Sequence, residues 1–237
     1  MPTECLFRDD AYLRECGATV LDASDGGVRL DRTVLYATSG GQPGDRGVLA
    51  TEGGAQTSLA GAVYADAAKS EIVHVLEAGA ALPPLGEPVA VKIDWPLRYA
   101  RMRMHTALHL LSAVLPYAVT GGSVGEAESR LDFDIPEAGL DKDEITAKLN
   151  TMITADAEVR ARWISDEELA DNPGLVKTMS VKPPIGTGRV RLIEIVGYDL
   201  QPCGGTHVRR TGEIGAVRVS GIEKKGKLNR RVRLALA

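Results

Sequence analysis

Two pairs of metal-binding side chains, nearly a hundred residues apart, constrain this chain more than any other feature. His105 and His109 lie four residues apart in Met104-His-Thr-Ala-Leu-His109-Leu, a stretch patterned as helix. That offset stacks both imidazoles on one helical face. Cys203-Gly-Gly-Thr-His207 repeats the four-residue offset in a glycine-rich turn. Three of the 4 histidines and one of the 3 cysteines fall in these two motifs. Three imidazoles and a thiolate form a donor set for a tetrahedral zinc ion. A fold that serves this chemistry must bring the turn back onto the helix.

The helix starts cleanly. Asp94 is placed to cap it, and Pro96 falls in the first turn, where proline is tolerated. Leu97, Ala100, Met104, Leu108, Leu111 and Leu115 form one apolar stripe. Arg98, Arg101, His105, His109 and Ser112 fall together on its shoulder. The spacing therefore predicts a metal site at the rim of the core, with two guanidiniums on the same side of the helix.

Ahead of Asp94, short β-prone runs (18–21, 28–30, 33–36, 71–76 and 88–93) are separated by glycine-rich turns, among them Asp25-Gly-Gly. A small antiparallel β-barrel over residues 1–94 is expected. Its longest glycine-rich stretch, Ser39-Gly-Gly-Gln-Pro-Gly-Asp-Arg-Gly47, reads as a connector or as a loop whose bare backbone lets a substrate approach. His74 sits in an apolar-flanked strand and is expected to be structural or at the surface.

After Pro116, residues 120–125 read as a turn into a strand over 129–135. Asp141 and Glu144 start a second helix, with Ile145, Leu149 and Met152 on its inner face. A strand over 158–164 and a short helix capped by Ser165 follow. The strand over 189–196 leads straight to the Cys203 loop. Strands over 215–222 and 229–236 pair across a Lys/Gly turn. The fold class is α+β, with residues 95–237 forming a domain of helices packed on an antiparallel sheet.

Composition narrows the function. A net charge of −4 excludes a chain coated in positive charge for nucleic acid, though not a local basic patch. The segment from Glu223 to Arg233 carries such a cluster. No membrane association is expected: the apolar run 107–119 is broken by His109, Ser112 and Pro116. The N-terminus has no apolar signal core, and 3 cysteines give no disulfide framework. An intracellular, cytoplasmic setting is expected. The position that carries the glutamate base of zinc proteases is Thr106 here, which removes that class. A closed four-ligand site would be structural, and an open one catalytic.

Taken together, Met104-His-Thr-Ala-Leu-His-Leu-Leu111 and Gln201-Pro-Cys-Gly-Gly-Thr-His-Val208 resemble the editing domain shared by alanyl- and threonyl-tRNA synthetases. The loop Gly40-Gly-Gln-Pro-Gly-Asp-Arg-Gly47 resembles the barrel that precedes it in alanyl-tRNA synthetase and in free-standing AlaX proteins. Arg130-Leu-Asp-Phe-Asp134 and Thr211-Gly-Glu-Ile-Gly215 are similar to that family too, so the resemblance runs along nearly the whole chain. It implies a zinc-dependent aminoacyl-tRNA deacylase acting in trans, with His105, His109, Cys203 and His207 as ligands. The implied substrate is alanine tRNA mischarged with serine, or with glycine.

A pocket that hydrogen-bonds the serine hydroxyl can reject alanine by roughly 10⁴–10⁵-fold. Thr120 and Ser123 are the candidates for sensing that hydroxyl. Gly40, Gly41 and Gln42 are expected at the substrate. Arg98, Arg101 and the Lys224–Arg233 cluster are expected at tRNA phosphates, with zinc acting on water. The protein is expected to be a monomer or weak dimer. Two alternatives stand: editing of serine-charged threonine tRNA, and a non-catalytic RNA-binding module whose zinc only holds the fold.

Overall fold

The computed structural model describes residues 1–24, 26–136, 139–179 and 188–237. Asp25, which opens the expected Asp-Gly-Gly turn, lies outside them. The chain divides into two compact units, Met1–Tyr99 and Ala100–Ala237. The division thus falls inside the helix that the sequence starts at Asp94.

In the first unit, β1 (Glu4–Cys5) pairs in parallel with β4 (Arg32–Thr33). The strands β2 (Glu15–Ser24), β3 (Gly27–Leu30), β5 (Gly47–Thr51), β6 (Gln56–Tyr64), β7 (Ile72–Leu76) and β8 (Pro88–Ile93) close a barrel in the order β2-β3-β7-β6-β5-β8. Every pairing in it is antiparallel. Alternation of side chains along the strands sends Val20, Val28, Leu30, Leu49, Leu59, Ile72, Val89 and Val91 inward, where they are buried. Closure leaves none of these six strands with a free edge. Beyond β4, residues 34–36 are buried but are not strand, so the run expected over 33–36 is shorter than its β propensity suggests.

His74 belongs to this core. It is fully buried, with Nδ1 3.0 Å from the Val28 carbonyl and Nε2 2.8 Å from Thr33 Oγ1. Leu35 N–H donates to the same hydroxyl oxygen, which leaves the hydroxyl proton for His74 Nε2. The ring is therefore held neutral, with its own proton on Nδ1. Burial, only partly offset by the Val28 bond, lowers its pKa from 6.5 to about 4.

The glycine-rich loop is a built turn. Ser39 and Gln42 exchange backbone bonds of 3.1 and 2.9 Å around Gly40 and Gly41, both at positive φ. At Gly44 an added Cβ would lie 2.3 Å from the Ala62 carbonyl oxygen, so no side chain fits there.

The second unit holds most of α1 (Trp95–Val114), whose first turn belongs to the first unit. Asp94 caps it through its carboxylate to the Leu97 N–H, 3.1 Å. From Arg101 to Ser112 every residue except Arg103 is buried. The helix is therefore enclosed all round in this stretch rather than along one stripe, and the histidines are interior rather than at a rim.

A four-stranded antiparallel sheet has the order β14-β15-β10-β9, where β9 is Val119–Ser123, β10 Glu128–Asp134, β14 Val217–Lys224 and β15 Asn229–Leu236. The glycines at 121 and 122 mark a turn in the sequence, yet they form part of edge strand β9. Between β10 and β14 in the chain lies α2 (Lys142–Thr154), whose cap Asp141 accepts from the Asp143 and Glu144 N–H groups. It buries Ile145, Leu149 and Ile153, with Ile153 rather than Met152 completing the inner face.

A three-stranded sheet, β11 (Val159–Ile164), β12 (Val190–Ile195) and β13 (Asp199–Pro202), follows the order β11-β12-β13. The short α3 (Asp166–Asp171) begins in the expected Ser165 cap. Strand β13 interrupts what reads in sequence as a direct run from β12 to Cys203. This strand leads into the loop that carries Cys203 and His207. No described helix is long and apolar enough to cross a membrane.

Neutral His74 gives a stability that is full above pH 6.5 and is lost as the pH falls from 6.5 through about 4, because the unfolded chain binds the proton that the folded barrel refuses. The loss for this one group reaches about 3 kcal/mol. Urea unfolding of a Trp163→Phe protein, followed through Trp95, should show this slope. His74→Gln should flatten it; an unchanged slope contradicts the assignment.

Candidate metal centre

The ligand atoms of His105, His109, Cys203 and His207 all lie within 4.8 Å of one another. Cys203 Sγ is 3.6 Å from His105 Nε2 and 3.3 Å from His207 Nε2. The ring centroids are 4.3 Å apart for His105 and His207, and 4.6 Å for His109 and His207. Metal–nitrogen bonds of about 2.0–2.1 Å and a metal–sulfur bond of about 2.3 Å need tetrahedral donor atoms about 3.3–3.7 Å apart. The two distances from Cys203 Sγ fall in that range, and the four donors together lie close enough to be compatible with a metal site.

The surrounding groups fix which nitrogen of His207 and of His109 faces inward. Thr106 Oγ1 donates to the Met102 carbonyl at 2.9 Å and lies 3.1 Å from His207 Nδ1. With the hydroxyl proton used, Nδ1 carries its own proton toward Thr106, leaving the lone pair on Nε2. His109 Nδ1 donates to Asp199 Oδ2 at 2.9 Å, which frees its Nε2 in the same way. Asp199 is anchored in turn: Gln201 Nε2 donates to Oδ2 at 2.7 Å and Lys177 Nζ to Oδ1 at 2.5 Å. Gln201 also donates to Ser112 Oγ at 3.1 Å, and Ser112 to the His109 carbonyl at 2.9 Å. Asp199 and Gln201 sit two residues apart in β13, hence on one face of the strand.

The electrostatics follow from this packing. Burial works against the Asp199 carboxylate, but His109 and Lys177 outweigh it and hold its pKa below the usual range. Burial also disfavours the Cys203 thiolate, yet the imidazoles of His105 and His207 bring the thiol well below its ordinary value. The thiolate is the form that binds metal.

The other residues singled out in the sequence are placed as follows. Arg98 is fully buried in the first unit, bonded through Nε to Asp45 Oδ2 at 2.8 Å and through its other nitrogens to the carbonyls of Ala11 (2.9 Å) and Val34 (2.6 Å). It is a structural cation and is not open to a phosphate. Arg101 is likewise buried and paired with Glu126 at 2.8 Å. Helical angle groups these arginines with the histidines but says nothing of the carboxylates across from them.

In the Lys224–Arg233 cluster, Arg231 is paired with Asp132, Arg233 with Glu223 and Glu128, and Lys225 with Glu223. Three of the cluster's six cations are therefore paired with carboxylates on their own sheet. Thr120 Oγ1 donates to the Asp132 carbonyl at 3.1 Å and accepts from Asn229 Nδ2 at 2.8 Å, so its hydroxyl is engaged. Ser123 is half-buried on β9 opposite Arg130. Gly40 and Gly41 are exposed at their turn, and Gln42 is buried. Thr106, Asp199, Gln201 and Lys177 escape the sequence reading. The alternation of Asp199 and Gln201 just before Cys203 is the one signal that points to them.

Three buried imidazoles and a partly buried thiol, two of the rings oriented by hydrogen bonds, form a cluster that could hold a metal ion, and its second motif sits in a strand-end loop. Residues 190–233, which contain Cys203 and His207, match the threonyl and alanyl tRNA synthetase second additional domain. The chain is 35% identical to an alanyl-tRNA editing protein AlaX-M from Methanosarcina mazei, across 99% of this chain and 96% of that one. It is 33% identical to the AlaX-M protein of Saccharolobus solfataricus, across 97% of each. An alanine–tRNA ligase from Korarchaeum cryptofilum is 36% identical over 92% of this chain, which spans 24% of the ligase. The chain belongs to the AlaX-M family of alanyl-tRNA editing proteins.

Asp199→Ala removes the acceptor that fixes His109 Nδ1–H. It should weaken Co²⁺ binding about 10- to 100-fold, read from the visible spectrum of the thiolate complex in competition with a chelator. Unchanged affinity would show that Asp199 does not orient the ligand.

Proposed function

We propose that this protein hydrolyses the ester bond of mischarged alanine tRNA, chiefly the seryl ester and also the glycyl one, at a zinc ion held by His105, His109, Cys203 and His207. The observation that carries this reading is the convergence of the α1 histidines with Cys203 and His207, in a chain related over nearly its whole length to alanyl-tRNA editing proteins. The donor set suits zinc: one thiolate and three imidazoles within 4.8 Å of one another, with orienting partners beside His109 and His207. By taking up a fifth ligand, zinc held there would polarise an ester carbonyl or make an ionised water available near neutral pH.

The protein's own groups hold and orient. Thr106 and Asp199 keep the protons of His207 and His109 on the nitrogens that face away from the donor cluster. Both oxygens of Asp199 are taken, by His109 and Gln201 on one side and Lys177 on the other, so it is a positioning residue rather than a base. Ser123 is the candidate for reading the substrate hydroxyl, since that of Thr120 is engaged. A cytoplasmic location with tRNA as partner accords with this reading.

Deacylation of serine-charged alanine tRNA is the test, with alanine-charged alanine tRNA and serine-charged threonine tRNA as controls. The zinc-loaded protein should hydrolyse the first far faster than either control. His109→Ala should abolish turnover while cooperative unfolding survives. Loss of cooperative unfolding in that variant would point instead to a zinc ion that only holds the fold. Equal rates on both serine-charged tRNAs would overturn the assignment to the alanine system.

A further inference from the structure

The three-stranded sheet sets out one row of side chains of which only Cys203 has been used above. Residues directly opposite in antiparallel strands share a face. Asp199 is opposite Ile195 and Gln201 opposite Ile193, so these four lie on the face that meets His109. The β11 pairing extends that face to Ala161, opposite Ile193, and to Trp163, opposite Arg191. The Cys203 N–H donates to the Arg191 carbonyl at 3.1 Å, so Trp163, Arg191 and Cys203 form one row across the strands. Two strand spacings put the Trp163 backbone about 10 Å from that of the metal ligand. Arg191 makes the link rigid, since its NH1 donates to the carbonyls of Cys203 and Gly205, both at 2.9 Å.

Trp163 stands apart on this face. Ile193 and Ile195 are buried, whereas Trp163 is 41% exposed. The Arg189 guanidinium carbon lies 4.5 Å from its ring centroid. A charged sheet edge is already supplied by Arg160 and Arg162, which lie on the opposite face and pair with Glu194. An exposed indole is thus not needed to protect the edge. With the guanidinium over one face, the exposed remainder of the indole is a surface on which a nucleobase stacks regardless of its identity, with the cation attracting the adjoining phosphate.

An aminoacyl ester sits on the ribose of the last nucleotide, so when the ester reaches the metal centre the terminal base lies one nucleoside away. Trp163 stands at that remove. We propose that Trp163, with Arg189, is the stacking platform for the terminal nucleobase of the aminoacylated RNA. The placement beside the ester rests on the editing function proposed above, whereas stacking itself can be measured without turnover.

The chain has 2 tryptophans, so Trp95→Phe leaves Trp163 as the sole reporter. Titrating that protein with uncharged alanine tRNA should quench its fluorescence. The same RNA lacking its terminal adenosine should quench it little. In deacylation assays Trp163→Ala should raise KM for serine-charged alanine tRNA roughly 5- to 100-fold and leave kcat near the parent's. Trp163→Phe should recover most of the loss. Fluorescence blind to the terminal adenosine, or a Trp163→Ala protein with the parent's KM, would overturn the proposal. If the parent hydrolyses no mischarged tRNA while the adenosine-dependent quench persists, the editing reading falls and the platform stands.

Discussion

The second unit depends on a carboxylate that has no business being buried alone. Asp199 has a side chain with no exposed surface, and an unpaired charge there would cost several kcal/mol. Its two oxygens are instead divided among an imidazole N–H, an amide N–H and an ammonium group. That arrangement does more than satisfy the charge. It ties β13 to α1 through His109, and it tells His109 which nitrogen to present. The loop that follows β13 then delivers Cys203 and His207 to the same point, where Thr106 orients the last ring. The candidate metal centre is thus ordered by hydrogen bonds one layer further out, and without that layer His109 and His207 would be free to adopt the wrong tautomers.

The same treatment of charge recurs in both units. Arg98 is buried whole against Asp45 and two carbonyls. Arg101 is closed off by Glu126. On the four-stranded sheet, Arg130 and Arg231 share Asp132, and Arg233 bridges Glu128 and Glu223. Many of the chain's cations therefore serve its own sheets and helices, in keeping with a net charge of −4. An RNA partner would then be held less by a basic coat than by contacts near the site, which gives weight to an exposed indole in line with the metal ligands.

The two candidate ligand motifs and the barrel were legible in the sequence, because both depend on local periodicity. A four-residue offset on a helix and a period of two on a strand leave direct traces in the order of residues. Strand β15, Asn229–Leu236, coincides with the run read from the sequence. What stayed hidden depends on contacts across the fold. Gly121 and Gly122 look like a turn, yet they occupy an edge strand. Strand β13 is four residues long and ends in proline, too short for a periodic signal. The roles of Arg98, Arg101 and the C-terminal arginines could not be read because their carboxylate partners are remote in sequence. The partners of His109 and His207 were missed for the same reason: Asp199 is ninety residues from the ring it orients.

The central claim is that one sulfur and three nitrogens meet at a single metal ion. Zinc-edge X-ray absorption on the purified full-length protein tests this most directly. A four-coordinate shell with one sulfur at about 2.3 Å and three nitrogens at about 2.0–2.1 Å is expected, and the sulfur component should vanish in Cys203→Ser. A six-coordinate shell of oxygen donors, or a sulfur-free spectrum from the unsubstituted protein, would contradict it.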